Sequence, residues 1–534
     1  MDGNYAVQRV KMTVNKNINL NWVRQLFIDQ DFEKSDDNRY HLVKSRMRAD
    51  YGLSKNGGGM FGERLVSFKD FKVNVPLPED FYKKDKQADV VKKEEEYWTA
   101  HRHDSLTKAE SKVYGNIDSL QKMPSFKRTM NLATLLLAGF KGFGPWELGP
   151  VNTFYSFNPV EGFRLRVGGR TTPKFNERLY FETYAAYGFK DEKWKYFLSG
   201  TYSFTGRSIR EFPLKKLRVS FQRDTKIPGQ ELQFIQEDNF LLSFKRGVND
   251  KWLYNSIFNV DYLHEFENHF SYSVGVKYWQ QEAAGGLKFI SGKEDGIPVS
   301  KVTTGEFNVE ARWAPGEQFY QGKSYRIPIP NKKPIITARF VRGTNDFFNS
   351  QYNYRTVTLN IYKRIYLSQL GYTDMVAEGG YIFGSVPFPL LSIHRANQTY
   401  SYQLQSYNLM NFLEFVSDHY VSLHFDHNFN GFIFNKIPLM KKLKLREVAT
   451  LKVLYGGIRN ENNPAFNPSV FQFPTNAEGQ VITRSLDKEP YMEASIGIAN
   501  IFKLLRLDVV KRLTYLDNPG VSEWGIRGRF KFDF

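Results

Sequence analysis

From about residue 150 to the C-terminus, apolar and polar positions alternate with a period of two. The last eleven residues set the pattern. Trp524, Ile526, Phe530, Phe532 and Phe534 share one parity with Gly528, while Gly525, Arg527, Arg529, Lys531 and Asp533 take the other. Successive side chains of a strand point to opposite faces, so this segment has one aromatic face and one charged face. Phe163, Leu165 and Val167 alternate in the same way with Arg164 and Arg166, and Leu179, Phe181, Ala185 and Tyr187 with Arg178 and Glu182. Trp194, Tyr196, Leu198, Tyr202 and Phe204 oppose Lys195, Ser199, Thr201 and Ser203. The pattern returns around Val219, Val274, Val309, Leu359, Leu423, Ile496 and Leu507. One such segment also fits a soluble antiparallel sheet. Its return over ~380 residues predicts a transmembrane antiparallel β-barrel with a polar interior and about 16 strands. Trp194, Trp313 and Trp524 fall at strand ends, where interfacial aromatic girdles lie.

The expected organisation is all-β in three parts. Residues 1–78 form a β-rich pre-barrel segment, with strands expected within 6–22 and 65–77 and a flexible loop at the glycines of 57–59. Residues 79–145 form a charged linker and an amphipathic helix, and residues 146–534 the barrel. Leu106, Ala109, Val113, Ile117 and Leu120 recur at helical spacing, and Pro124 closes that helix. The apolar stretch 130–140 is too short to span as a helix and is expected to be buried, interfacial or the approach to the first strand. With the C-terminus on the periplasmic side, 514–523 and 459–490 become external loops and 500–503 a short periplasmic turn.

Composition narrows the class. The chain has 534 residues, 16% aromatics and no cysteine, so disulfides and thiol chemistry are excluded. A mean hydropathy of −0.49 without a long apolar run fits a barrel, whose lipid face uses every second residue. The net charge of +18 is spread through the alternating segments rather than gathered in a nucleic-acid motif. No apolar h-region follows Met1, so a barrel reading expects a mature chain or one lacking its start.

Candidate chemistry is sparse. Arg164, Arg166, Arg170, Arg178, Arg218, Arg527, Arg529 and Lys531 are expected to form a basic wall of the lumen. That wall either favours anions or pairs with Glu182, Glu306, Glu310 and Asp533. Ser417, Asp418, His419, Ser422, His424, Asp426 and His427 offer hydrolase residue types. His424 and Asp426 are i, i+2 on a strand, however, ~7 Å apart and too far for a direct bond. His101 and His103 precede the helix and read as a solvated linker rather than metal ligands. The basic run 436–446 reads as a charged periplasmic turn. No cofactor, metal or catalytic residue is expected.

Several stretches then resemble a family of Bacteroidota outer-membrane proteins known only as a domain of unknown function. They are LTKAESKVYGNIDSL (106–120), ELGPVNTFYSFNPVEGFRLRVGGRTT (147–172), 412–448 and GIRGRFKFDF (525–534). The resemblance implies an outer-membrane barrel, usually preceded by a carboxypeptidase-regulatory-like domain. A more distant similarity is to the surface-antigen class of outer-membrane assembly barrels, through FDHNFNGFIFNKIPL (425–439) and FVRG (340–343). The expected function is therefore a non-catalytic outer-membrane barrel serving transport or envelope assembly. The alternatives are a passive anion-preferring channel and, behind it, a lumen-facing hydrolase. The expected partners are outer-membrane lipid, a periplasmic protein, and the barrel-assembly machinery. Trp524, Phe530, Phe532 and Phe534 supply the C-terminal signal for that machinery.

Overall fold

The computed structural model describes residues 6–14, 21–35, 38–52, 59–73, 75–76, 78, 95–103, 105–232, 250–292, 296–322, 325–347 and 349–530. The chain divides into two compact units, meeting in sequence at Met130 and Asn131.

The first unit holds a four-stranded antiparallel sheet, β1 (Arg9–Thr13), β2 (Val23–Lys34), β3 (Tyr40–Gly52) and β4 (Gly59–Ser67), in that order. The strand expected over 65–77 ends at Ser67, because Asp70 turns the chain with a positive φ of 55°. Gly59, read as loop, opens β4, while 57–58 lie outside the described residues. Helices α1 (Glu95–His101), α2 (Lys108–Lys122) and α3 (Pro124–Ala138) follow. Thr107 caps α2 by accepting from the Glu110 amide, and the Glu110 carboxylate accepts from the Thr107 amide. That backbone bond holds the Glu110 carboxyl below its usual range. Pro124 does separate two helices, but it also opens the second, where a missing N–H costs nothing. The apolar stretch 130–140 is therefore mostly the end of α3. The His101 ring donates to the Tyr97 carbonyl at 2.8 Å, and His103 lies 3.4 Å from the Ser67 hydroxyl.

The second unit is a barrel. Its strands are β5 (Lys141–Gly142), β6 (Trp146–Leu148), β7 (Tyr155–Asn158), β8 (Gly162–Thr171), β9 (Leu179–Gly188), β10 (Lys193–Ser203), β11 (Lys215–Lys226), β12 (Lys251–Glu265) and β13 (Phe270–Gly285). They continue with β14 (Lys301–Trp313), β15 (Ile335–Gly343), β16 (Tyr354–Tyr366), β17 (Tyr372–Phe383), β18 (His419–Asn428), β19 (Arg446–Gly457), β20 (Tyr491–Ile501), β21 (Leu505–Arg512) and β22 (Trp524–Phe530). Consecutive strands from β8 to β22 pair antiparallel, as do β5 and β6, and the strand order closes from β22 onto β5. β6 and β7 both pair with β8 and act as one interrupted strand. Counting them once, and the two-residue β5 not at all, the barrel has 16 strands.

The predicted parity holds around the ring. Phe163, Val167, Leu198, Val274, Val309, Val421, Ile496 and Ile526 are exposed on the outer surface. Exposed apolar surface on this scale has no place in water and requires lipid. Exposed tryptophans mark both rims: Trp194 and Trp524 open strands at one end, while Trp146 and Trp313 lie at the other. The end that carries 172–178, 266–269, 367–371 and 502–504 has mostly short connections. The opposite end carries 384–418, 458–490 and 513–523. The basic run 436–446 is not a plain turn. It contains helix α4 (Pro438–Leu443), and Arg446 is a buried strand residue.

The interior departs from a purely polar lumen. Leu253, Ile257, Trp279, Phe388, Leu391, Ile393, Val416 and Phe471 form a buried apolar core. The infolded loops 384–418 and 458–490 supply much of it.

Arginine in place of Ile496, at the middle of β20, is expected to destabilise the protein by ~2–4 kcal/mol. Equilibrium unfolding in lipid vesicles checks this, since the same change on a water-facing strand would be close to neutral.

Candidate functional site

The 384–418 segment joins β17 to β18 and runs into the barrel instead of away from it. Its apolar start, Val386 to Ile393, packs on inward residues of β12, β13, β16 and β17. Beyond Ile393 the contacts are polar. The Arg395 guanidinium pairs with Glu378 at 3.2 Å, and the Lys452 ammonium donates to the carbonyls of Gln403, at 2.8 Å, and Ser406. Glu493 accepts from the Asn408 and Leu409 amides at 2.7 and 3.0 Å. Arg512, fully buried, grips Glu414 through two bonds of 3.0 and 2.6 Å. The segment is thus anchored to β17, β19, β20 and β21 by charge-assisted bonds in a site closed to water, where such bonds are stronger.

Its tip reaches the seam of the barrel. The Gly528 amide donates to the Tyr400 carbonyl at 3.0 Å, and the Tyr402 amide donates to the Gly528 carbonyl at 2.7 Å. Ser401 and Gly528 form a parallel bridge. The opposite edge of β22 pairs with β21 from Leu505↔Phe530 to Lys511↔Trp524. Continuous register joins neighbouring strands from β6 and β7 round to β22. The ring order then continues from β22 to the short strand β5. The infolded segment thus supplies hydrogen-bond partners to the last strand at Gly528, on the edge turned away from β21.

The residues of the expected basic wall have separate fates. Arg164 is buried and pairs with Asp224 at 2.8 Å and Glu161 at 3.3 Å. Arg166 lies 3.8 Å over the Tyr184 ring, and Arg170 pairs with Glu147 at 2.7 Å. Arg218 donates to the Ser199 hydroxyl at 3.0 Å and faces a cavity of about 610 Å³. Arg527 donates to the Asn408 carbonyl at 2.8 Å and so anchors the infolded segment. Arg529 is half-buried opposite Arg506. Arg178 is off the wall. It precedes β9, and the turn 172–178 carries it past the rim, where it lies 5.1 Å from the Tyr202 ring on the outer face. Lys531, Asp533, Phe532 and Phe534 lie outside the described residues, while Trp524 and Phe530 are exposed on the outer face. The cavity carries both signs of charge: Asp261, Glu310 and Glu378 face it with Arg218, Arg339 and Arg395.

The hydrolase residue types do not assemble. His424 is buried edge-on to Tyr407, with neither ring nitrogen bonded. Asp426 is held by Arg506 at 3.0 Å, and His427 lies 2.8 Å from the Thr373 hydroxyl. Asp418 accepts from Arg459 and Asn462 and contacts His419. Ser417 meets a histidine that sequence reasoning missed, His394, at 2.8 Å. FVRG (340–343) lies on β15. Nothing in the local pattern of 384–418 distinguished that loop from an external one.

Residues 145–462 match the model described as "Family of unknown function (DUF5686) C-terminal domain". No protein of curated function matches the chain. Among solved structures, it is similar to BamA from Haemophilus ducreyi lacking POTRA domains 1-3, with 10% identity and a TM-score of 0.41, over 73% of this chain and 71% of that one. It is also similar to CdiB from Acinetobacter baumannii, at 11% identity and a TM-score of 0.33, over 70% of this chain and 57% of that one. For CdiB from Escherichia coli the identity is 10% and the TM-score 0.38, over 70% and 60%. The chain spans less than two thirds of either CdiB.

Two outcomes are expected. Arg512→Ala leaves Glu414 buried without its partner and should cost roughly 3–5 kcal/mol. It should also expose 384–418 to protease, as limited proteolysis would read. Second, burial and the nearby Arg395 hold the His394 imidazole well below its ordinary value. A base whose folded value is lowered stabilises the docked segment above its free value of 6.5, and that contribution is lost as pH falls below it. The protection of amides across 390–397, taken relative to the intrinsic exchange rate at each pH, should therefore fall as pH drops below that value, and His394→Gln should remove the dependence.

The family-model match covers more than half of the chain, and the chain belongs to this DUF5686 family.

Proposed function

We propose that the protein is an integral outer-membrane barrel, with its C-terminus on the periplasmic side, that serves transport or envelope assembly through its seam rather than through an open lumen. The observation that carries this reading is the pairing of Tyr400 and Tyr402 with Gly528, which places an infolded segment on the edge of the last strand. The two backbone bonds between the docked segment and Gly528 can be released at far lower cost than a full antiparallel ladder. The orientation draws support from the long connections at the end where β22 begins, as is usual for such barrels. The protein acts without catalysis in this reading: Asp418 is committed to Arg459 and Asn462, and no carboxylate bonds the imidazoles of His394 or His424. The anion channel is disfavoured, since the infolded segment occupies the lumen and the remaining cavity carries both signs of charge. A periplasmic partner for the first unit, and delivery by the barrel-assembly machinery through the C-terminal strand, belong to the same proposal.

The chain has no cysteine, so a pair introduced at the bridge is clean. Ser401→Cys with Gly528→Cys should form a disulfide on oxidation. The oxidised form should fail to complement cells lacking the protein, whereas the reduced form should succeed. Complementation by the locked form would refute the seam. Planar-bilayer recording provides the second arm: the wild type should be silent, and steady anion-selective current would restore the channel reading.

A further inference from the structure

Arg342 and Arg355 stand directly opposite each other on β15 and β16. Both are exposed and share the outward parity of Phe340, Val357 and Leu359, which lie in the apolar belt. Neither has an ion-pair or hydrogen-bond partner among the described residues. Like charges directly opposite across two strands repel and are destabilising unless an anion lies between them. Elsewhere on the same surface the rule is kept: Lys301 faces Glu282, its opposite in charge.

The surroundings specify the missing anion. In the same row, Phe307 flanks Arg342 on β14 and Phe383 flanks Arg355 on β17, both exposed. One row deeper lie Val309, Phe340 and Val357, facing lipid. The pair sits where β15 ends and β16 begins, at the rim that carries 384–418 and 458–490. Cations there lie at headgroup depth, with acyl chains below and aromatic rings on either side. Two adjacent guanidinium forks match a phosphate, which each can grip through two N–H groups.

We propose that Arg342 and Arg355 form a binding site for the phosphate of a membrane lipid headgroup, whose acyl chains lie on the Val309, Phe340 and Val357 surface. The site is independent of the seam and of the lumen segment, so it stands or falls separately from the function proposed above.

The test uses the full chain in detergent micelles, with native mass spectrometry to count retained lipid. Phosphatidic acid supplies a phosphate monoester, diacylglycerol the same chains without it, and inorganic phosphate the anion alone. The wild type should retain phosphatidic acid on the order of tenfold more tightly than Arg342→Gln/Arg355→Gln, the factor that ~1.4 kcal/mol of lost charge-assisted bonding gives. Diacylglycerol should not distinguish the two proteins. Arg223→Gln is the control, because Arg223 is a solitary outward cation facing Tyr196 and Ser256. It should bind as the wild type does. Without lipid, the double variant should be at least as stable as the wild type, since a like-charge contact is gone, and this keeps misfolding apart from loss of the site. Equal retention by the wild type and the double variant, or equal loss with Arg223→Gln, would overturn the proposal. Inorganic phosphate matching phosphatidic acid at equal concentration would also overturn the lipid assignment and leave a site for a soluble anion.

Discussion

A strand in lipid has no water to satisfy its N–H and C=O groups, so every edge must find a partner within the protein. The barrel follows from that requirement. Fifteen of its seams meet it with antiparallel ladders between consecutive strands. The sixteenth, between the last strand and the first hairpin, meets it differently, because β5 has two residues and β6 and β7 are interrupted by 149–154. The Tyr400–Tyr402 segment takes up the N–H and C=O of Gly528 there. The buried charges and the apolar core beneath the infolded loop hold that segment against the last strand.

The buried charges show how the interior can be both polar and closed. Lys452, Arg512 and Arg527 would be costly to bury alone, and each is matched by carbonyls or a carboxylate of the infolded segment. The polar strand face thus acts as a set of sockets rather than a channel lining. Its specificity lies in which backbone atoms arrive, not in net sign.

The barrel was legible in the sequence because lipid exposes what water hides: Trp194, Ile496 and Trp524 betray their face by type alone. Strand number was legible from repetition. The β2 and β3 strands of the first unit were missed because they carry no such one-sided signal and remain half-exposed on both faces. The infolded loop was missed for a different reason. A run such as Val386 to Ile393 has no period, and its burial depends on partners up to about 130 residues away in sequence. Arg527 was identified as inward from its parity, but its partner, the Asn408 carbonyl, is backbone and leaves no trace in the sequence. Arg178 shows the limit of parity itself, since one turn past the rim it no longer names a face.

The order of synthesis gives the Gly528 bridge a further meaning. The infolded segment is made between β17 and β18, yet the strand its tip holds is made after every other strand of the barrel. Until β20, β21 and β22 arrive, Glu414 lacks Arg512, the Asn408 amide lacks Glu493, and Tyr402 lacks Gly528. Contacts so distant along the chain form late, after the entropy of closing the intervening loop has been met. Docking of the loop is then a record of completion: a barrel that lacks its final strand is one whose lumen has not yet shut.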